Sequence, residues 1–174
     1  MPVAPTSRKP SSNCATSTTR RQRSGALLEA EQRLHDSPIP GTVVRFSGIY
    51  GNDRDGMLSK MRDGSIAPNP DSGYTNRIHE DDAVGALCHL VERELNAGEL
   101  ATCYLASDCE PVRLDDVVAW GREQTPCAPP QPDARKGGRA GSKRCSNKRL
   151  LESGFRFRYP DFRAGYRELI ARQK

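Results

Sequence analysis

Two short stretches hold side chains whose types and spacing could do chemistry. The first is Ser47-Gly48-Ile49-Tyr50, near the end of the run GTVVRFSGIYG between Gly41 and Gly51. It places a hydroxyl, a glycine and a phenol where a strand should end. That suits a ligand site, because open α/β sheets bind ligands just outside the carboxyl ends of their strands. A strand closed by a glycine turn, with nothing bound, explains the same residues equally well. The second stretch is Arg77-Ile78-His79-Glu80-Asp81-Asp82. A histidine just ahead of a helix, beside carboxylates, can orient a substrate or a loop. On chemistry alone the favoured account is a capping cluster in which Asp81 or Asp82 accepts backbone N–H groups.

A third stretch is basic. Arg135, Lys136, Arg139, Lys143, Arg144, Lys148 and Arg149 lie among Gly137, Gly138 and Gly141. Such a loop could wrap a phosphate or a nucleic-acid backbone. No aromatic residue is interleaved with these cations, as a stacking platform for nucleic acid would need. A solvated loop therefore ranks first, phosphate or nucleotide second and nucleic acid third. Asp115 and Asp116 open a helix and read as dipole partners, not as a catalytic pair. No residue is assigned a catalytic role. The six cysteines include no CxxC pair, and only three histidines accompany them, so no metal site and no disulfide framework is expected.

Positioning these groups requires a framework. The 174 residues suffice for one domain with a modest core. Hydrophobic residues make up only 35%, which suggests long irregular segments or a surface that something else covers. The net charge of +5 favours acidic or phosphate-bearing partners. No apolar run approaches the roughly 20 residues of a membrane span, and the expected location is the cytoplasm.

Residues 1–24 have no acidic and almost no large apolar residue, which predicts a disordered or non-native segment. Leu27, Leu28, Glu31 and Leu34 predict a helix from Ser24 to Asp36. Val43, Val44 and Phe46 predict a strand delivering a glycine-flexible loop. A short helix follows over 57–62, then an irregular stretch over 66–73 and an extended run over 74–79. The next helix spans 82–95, with Ala83, Leu87, Leu90, Val91 and Leu95 on its buried face. A strand at 102–106 and a helix at 114–120 come next, and 125–142 reads as a long loop. Residues 147–152 form a short helix. Phe155, Phe157 and Tyr159 alternate with arginines and predict a strand, and a last helix runs over 161–172. The class is α/β.

Three of these stretches, in this order, resemble motifs of one family. Arg45–Gly51, Arg77–Ala83 and Ser146–Phe155 are similar to segments of the extended short-chain dehydrogenases/reductases, the NAD-dependent epimerase/dehydratase family, and most of all to an uncharacterised bacterial subgroup of NAD(P)-dependent oxidoreductases. The resemblance covers Ser24 to the end. It implies an incomplete Rossmann-type parallel sheet (its C-terminal part) with a small α/β portion of the substrate domain, filling 25–174. It also implies an oxidoreductase using NAD or NADP on a sugar-like or other hydroxyl- or carbonyl-bearing small molecule. Ser47, Gly48, Ile49 and Tyr50 would then face the cofactor, and Arg54, Arg77 and His79 the substrate.

The departures are specific. No glycine-rich nucleotide turn is present, and Arg23 and Leu27 stand where the family's catalytic tyrosine and lysine belong. A truncated chain, inactive alone and binding NAD(P) poorly, is expected. A partner chain would cover an open sheet edge or apolar patch at the Arg45 strand. The alternative is a non-catalytic module that uses loop 135–149 to bind phosphate or nucleic acid.

Overall fold

The computed structural model of the chain describes residues 25–134 and 142–172. The expectations for residues 1–24, and for Arg135 to Gly141 of the basic stretch, lie outside them. The chain divides into two units, Met1–Gly41 and Thr42–Lys174. In the first, helix α1 covers residues 25–35, as the apolar spacing predicts. It ends where the Asp36 and Ser37 N–H groups turn back to the Gln32 and Leu34 carbonyls.

The second unit runs β1 (Val43–Phe46), β2 (Gly48–Tyr50), a 3-10 turn (Asn52–Arg54), α2 (Gly56–Arg62), β3 (Tyr74–Thr75) and β4 (Arg77–His79). It continues through α3 (Glu80–Leu95), β5 (Cys103–Ala106), β6 (Val112–Arg113), α4 (Leu114–Gln124), α5 (Lys148–Glu152) and α6 (Phe162–Arg172). The strands form three two-stranded sheets. β1 pairs with β5 and β2 with β4, both parallel, and β3 pairs with β6 antiparallel. This is the α/β class that the sequence implies. Among the described residues no helix is long and apolar enough to cross a membrane.

Three expectations are corrected. Gly48–Tyr50 is not a loop but strand β2, because β4 offers it a parallel edge. Phe155–Tyr159 forms no strand. Its Arg158 and Tyr159 N–H groups donate to the Asp82 carboxylate at 2.8 and 2.9 Å, so they are unavailable to a ladder. On α3 the buried residues are Asp82, Ala83, Ala86 and Leu90, whereas Leu87, Val91 and Leu95 are exposed. The helix is apolar on both sides, and the spacing alone did not say which side meets the core.

Two apolar cores fill the second unit. One gathers Leu58 and Met61 of α2, Val117 and Val118 of α4, and Phe162, Tyr166, Leu169 and Ile170 of α6. The other gathers Ile78, Ala83, Ala86, Leu90, Tyr104, Ala106, Leu150 and Phe155. Each large side chain so buried contributes roughly 1.5–3 kcal/mol. The alternation of β4 is what separates them. Ile78 enters the second core, while Arg77 and His79 project from the opposite face toward α6.

Candidate functional site

The site is built where strands end. β1 gives way to Ser47, whose N–H and Oγ both donate to the Ala106 carbonyl at the end of β5, at 3.0 and 3.2 Å. Beyond Ala106, the Asp108 N–H donates to the Arg77 carbonyl at 2.7 Å and the Ser107 hydroxyl to the same oxygen at 3.3 Å. Asn147, just before α5, donates from Nδ2 to the Ser107 and Asp108 carbonyls at 2.9 and 3.2 Å. The carboxyl ends of β1 and β5 are thus tied to the start of β4.

The β2·β4 register sets Gly48 beside Arg77 and Tyr50 beside His79. Tyr50, Arg77 and His79 therefore share one face, where α6 meets them. The Tyr50 ring lies 5.3 Å from His79, edge-on, and 4.6 Å from Tyr166. Gly165 makes room for it: a Cβ there would collide with the Tyr50 ring and hydroxyl. His79 packs 4.0 Å from Tyr159. The Arg77 guanidinium lies 5.5 Å from the Phe162 ring centre and 5.8 Å from that of Tyr166.

His79 also caps α3. Its Nδ1 accepts the Asp81 N–H at 3.2 Å, which leaves the proton of the neutral ring on Nε2. The capping account thus holds in kind but with different parts. Histidine is the cap, and Asp82 is buried as a staple for Arg158 and Tyr159. Glu80 accepts the Asn52 N–H at 2.8 Å. It packs so closely on Gly51 that any Cβ there would collide with its carboxylate.

The face is enclosed and polar. Tyr50 Oη, Arg77 Nε, His79 Nε2 and both Asp108 carboxylate oxygens are buried without a hydrogen-bond partner among the described residues. Burial pushes the Asp108 carboxyl up to about 7, with the Glu110 and Asp161 carboxylates adding to the rise. The Arg77 cation holds it back, as does the dipole of the nearby Glu110 N–H, which does not meet hydrogen-bond geometry. Burial also raises the Tyr50 and Tyr166 phenols, and the Arg77 charge opposes both shifts. Tyr159 is raised to about 12, first by desolvation and then by its hydrogen bond to Glu168.

Of the residues that the sequence singled out, the structure brings together Tyr50, Arg77 and His79. Ser47 is half-buried at the β1–β5 junction, and Gly48 is exposed, its N–H donating to the Asn76 carbonyl at 3.2 Å. Ile49 packs against the second core. Arg54 is exposed at the end of the 3-10 turn, outside the cluster. Asp108 was missed, although an acid two residues past a strand is a placement the strand-end rule could have flagged. Asn76 was missed with no signal to find it. Its side chain donates to the Lys143 carbonyl and accepts the Cys145 N–H, both at 2.8 Å. With Ser142 accepting the Tyr74 N–H at 2.9 Å, this pins Lys143 and Arg144 near Gly48.

No protein-family profile matches the sequence, and no curated protein matches it. Solved structures do. A protein of Methylobacillus flagellatus assigned to the NAD-dependent epimerase/dehydratases is 31% identical, with a TM-score of 0.66, over 84% of this chain and 51% of its own. A conserved protein of unknown function from Silicibacter pomeroyi is 29% identical, with a TM-score of 0.58, over 75% of this chain and 49% of its own. The human epimerase family protein SDR39U1 (isoform 2), solved with NADPH, is 18% identical, with a TM-score of 0.57, over 76% and 50%. This last likeness concerns the fold alone. The chain spans about half the length of the structures it matches, and over that half it is similar to the Methylobacillus NAD-dependent epimerase/dehydratase and shares the Rossmann-like fold of the others.

Proposed function

We propose that the chain serves as the substrate-side half of an NAD(P)-dependent epimerase/dehydratase-type oxidoreductase acting on a sugar-like or other hydroxyl- or carbonyl-bearing small molecule. The observation that carries this reading is the convergence of the β1 and β5 carboxyl ends, at Ser47 and at Ser107-Asp108, on the face holding Tyr50, Arg77 and His79. The residues present fit one edge of a dinucleotide. Gly48 is exposed, and a Cβ there would meet the Asn76 carbonyl at 3.3 Å, so bare backbone is what the position offers a ligand. They do not fit the whole of it, because no glycine-rich turn opens a helix among the described residues.

The chain's own residues supply a floor and a rim. Tyr50, Arg77 and His79, buried beneath α6, brace the floor from within, and the Ser47 hydroxyl and Gly48 backbone form the edge. No residue here is given the catalytic proton transfer, since Leu27 stands in the lysine position and Arg23 in the tyrosine position. A glycine-rich half with the Tyr-xxx-Lys pair, on this chain or on another, completes the enzyme.

The test is complementation. The chain would be assayed for NADPH binding and carbonyl reduction alone, then mixed with the part of the Methylobacillus protein that it does not match. Activity of the mixture only is expected. Turnover by the chain alone, or no gain on mixing, would overturn the reading. A second reading rests on the Asn76 clamp, which holds the exposed Lys143 and Arg144 in place. As a polyanion-binding module, the chain would retain heparin in a salt-dependent way, and Lys143→Ala with Arg144→Ala would release it.

A further inference from the structure

Helix α3 is apolar on two opposite sides. Asp82, Ala83, Ala86 and Leu90 are buried. On the other side, at ~100° per residue, Val84, Leu87, Cys88, Val91 and Leu95 fall within an arc of about 100°. Val84 is 61% exposed, Leu87 45%, Val91 58% and Leu95 79%. Single surface leucines are ordinary, but a continuous stripe over three turns marks an interaction site.

The edges of the stripe say what covers it. Glu92 borders one side and Glu94 the other. Both are exposed, and neither carboxylate has an ion-pair partner among the described residues. Beyond Glu92, an open pocket of about 320 Å³ is lined by His89, Glu92, Arg93, Asn96 and Gly98. The Arg93 guanidinium in it is held by the Glu99 and Ser153 carbonyls and keeps its charge, so the acidic edges of the stripe, not the pocket, are what would draw a cation. The pocket sits at the C-terminal end of the helix, where the dipole adds negative charge.

We propose that this face of α3 docks an amphipathic helix of another protein, its apolar stripe edged with lysine or arginine. Those cations pair with Glu92 on one edge of the stripe and Glu94 on the other. A second copy of this chain would set Glu92 and Glu94 in an acidic surround, and an anionic membrane would repel them. The basic residues 1–24 carry almost no large apolar side chain to lay on the stripe. The proposal stands whether or not the chain is half of an oxidoreductase.

The test titrates the full chain against two labelled helical peptides with the same leucine stripe, one edged with Lys and Arg, the other with Glu, followed by fluorescence anisotropy. The basic peptide should bind at least about tenfold more tightly than the acidic one. Val91→Glu should abolish its binding while leaving far-UV circular dichroism unchanged, and Glu92→Lys with Glu94→Lys should reverse the preference. Equal binding of the two peptides, or none, overturns the proposal. So does a chain dimer that Val91→Glu dissolves, which would give the face to a second copy. Vesicle binding that Val91→Glu abolishes would give it to a membrane and overturn it as well.

Discussion

Phe162 and Ile78 are both 0% exposed, yet their surroundings differ. Phe162 is closed in by side chains from α2, α4 and α6, with Trp120 edge-on at 5.4 Å and Arg163 over its ring at 4.3 Å. Ile78 belongs to a core whose β1·β5 sheet is two strands wide, with α3 packed on it and turning a second apolar face outward. Parallel sheets are ordinarily wider and covered on both faces. The first core is closed by three of its own helices, whereas the second lies under the helix that, on the proposal above, a partner would cover. Folding free energy should therefore concentrate in the first core and binding free energy at the second.

The largest expected effect lies in the first core. Phe162→Ala should cost about 3–5 kcal/mol of stability in denaturant unfolding, because its neighbours come from three helices and cannot collapse onto the gap. A loss under about 1 kcal/mol would mean that this core is loose, and the contrast would fail.

The next effect lies at the seam between the cores. The folded Asp108 carboxyl keeps its proton up to about pH 7, whereas an unfolded aspartate releases it near pH 3.9. Between those values the folded state holds more protons, so stability falls as pH rises from about 4 to about 7. Asp108→Asn should flatten that slope and leave the variant the more stable of the two above pH 7, by about 1–4 kcal/mol. Parallel pH profiles for the two proteins would show that Asp108 is not held protonated.

A smaller effect tests how closely the seam is fitted. Gly165→Ala adds a methyl group where the Tyr50 ring sits. Overpacking of this kind costs about 1–3 kcal/mol. It should also shift the near-ultraviolet circular dichroism of Tyr50 and Tyr166. An unchanged spectrum at unchanged stability would place Tyr50 elsewhere.

The same contrast explains what could be read from the sequence. The strand β1 was legible because Val43, Val44 and Phe46 are β-branched or aromatic, and β5 because 102–106 is a short run without charge. The helices α1, α2, α4, α5 and α6 followed from apolar spacing or their turn signals. The strand pieces β2, β3 and β6 were not separable, since two or three residues carry no period of their own. Phe155–Tyr159 misled because alternation reports which side chains are buried, not where the N–H groups go, and here they go to Asp82. Tyr50, Arg77 and His79 were found as residues, but their enclosure under α6 depends on Gly165 and Tyr166, more than 80 positions away. Asp108 depends on the same long-range packing.

The smallest effect is the sharpest test, because it compares two faces of one helix. Leu90 and Val91 are adjacent in α3, one buried and the other 58% exposed. Leu90→Ala should cost about 2–5 kcal/mol, as truncation inside a packed core does. Val91→Ala should stay within about 0.5 kcal/mol, since the exposed side chain has little packing to lose. If Val91→Ala cost as much as Leu90→Ala in the isolated chain, the outer face of α3 would already be covered in solution, and the second core would be as closed as the first. If it cost nothing alone but several-fold in affinity for the basic peptide, stability and binding would reside on opposite sides of the same helix.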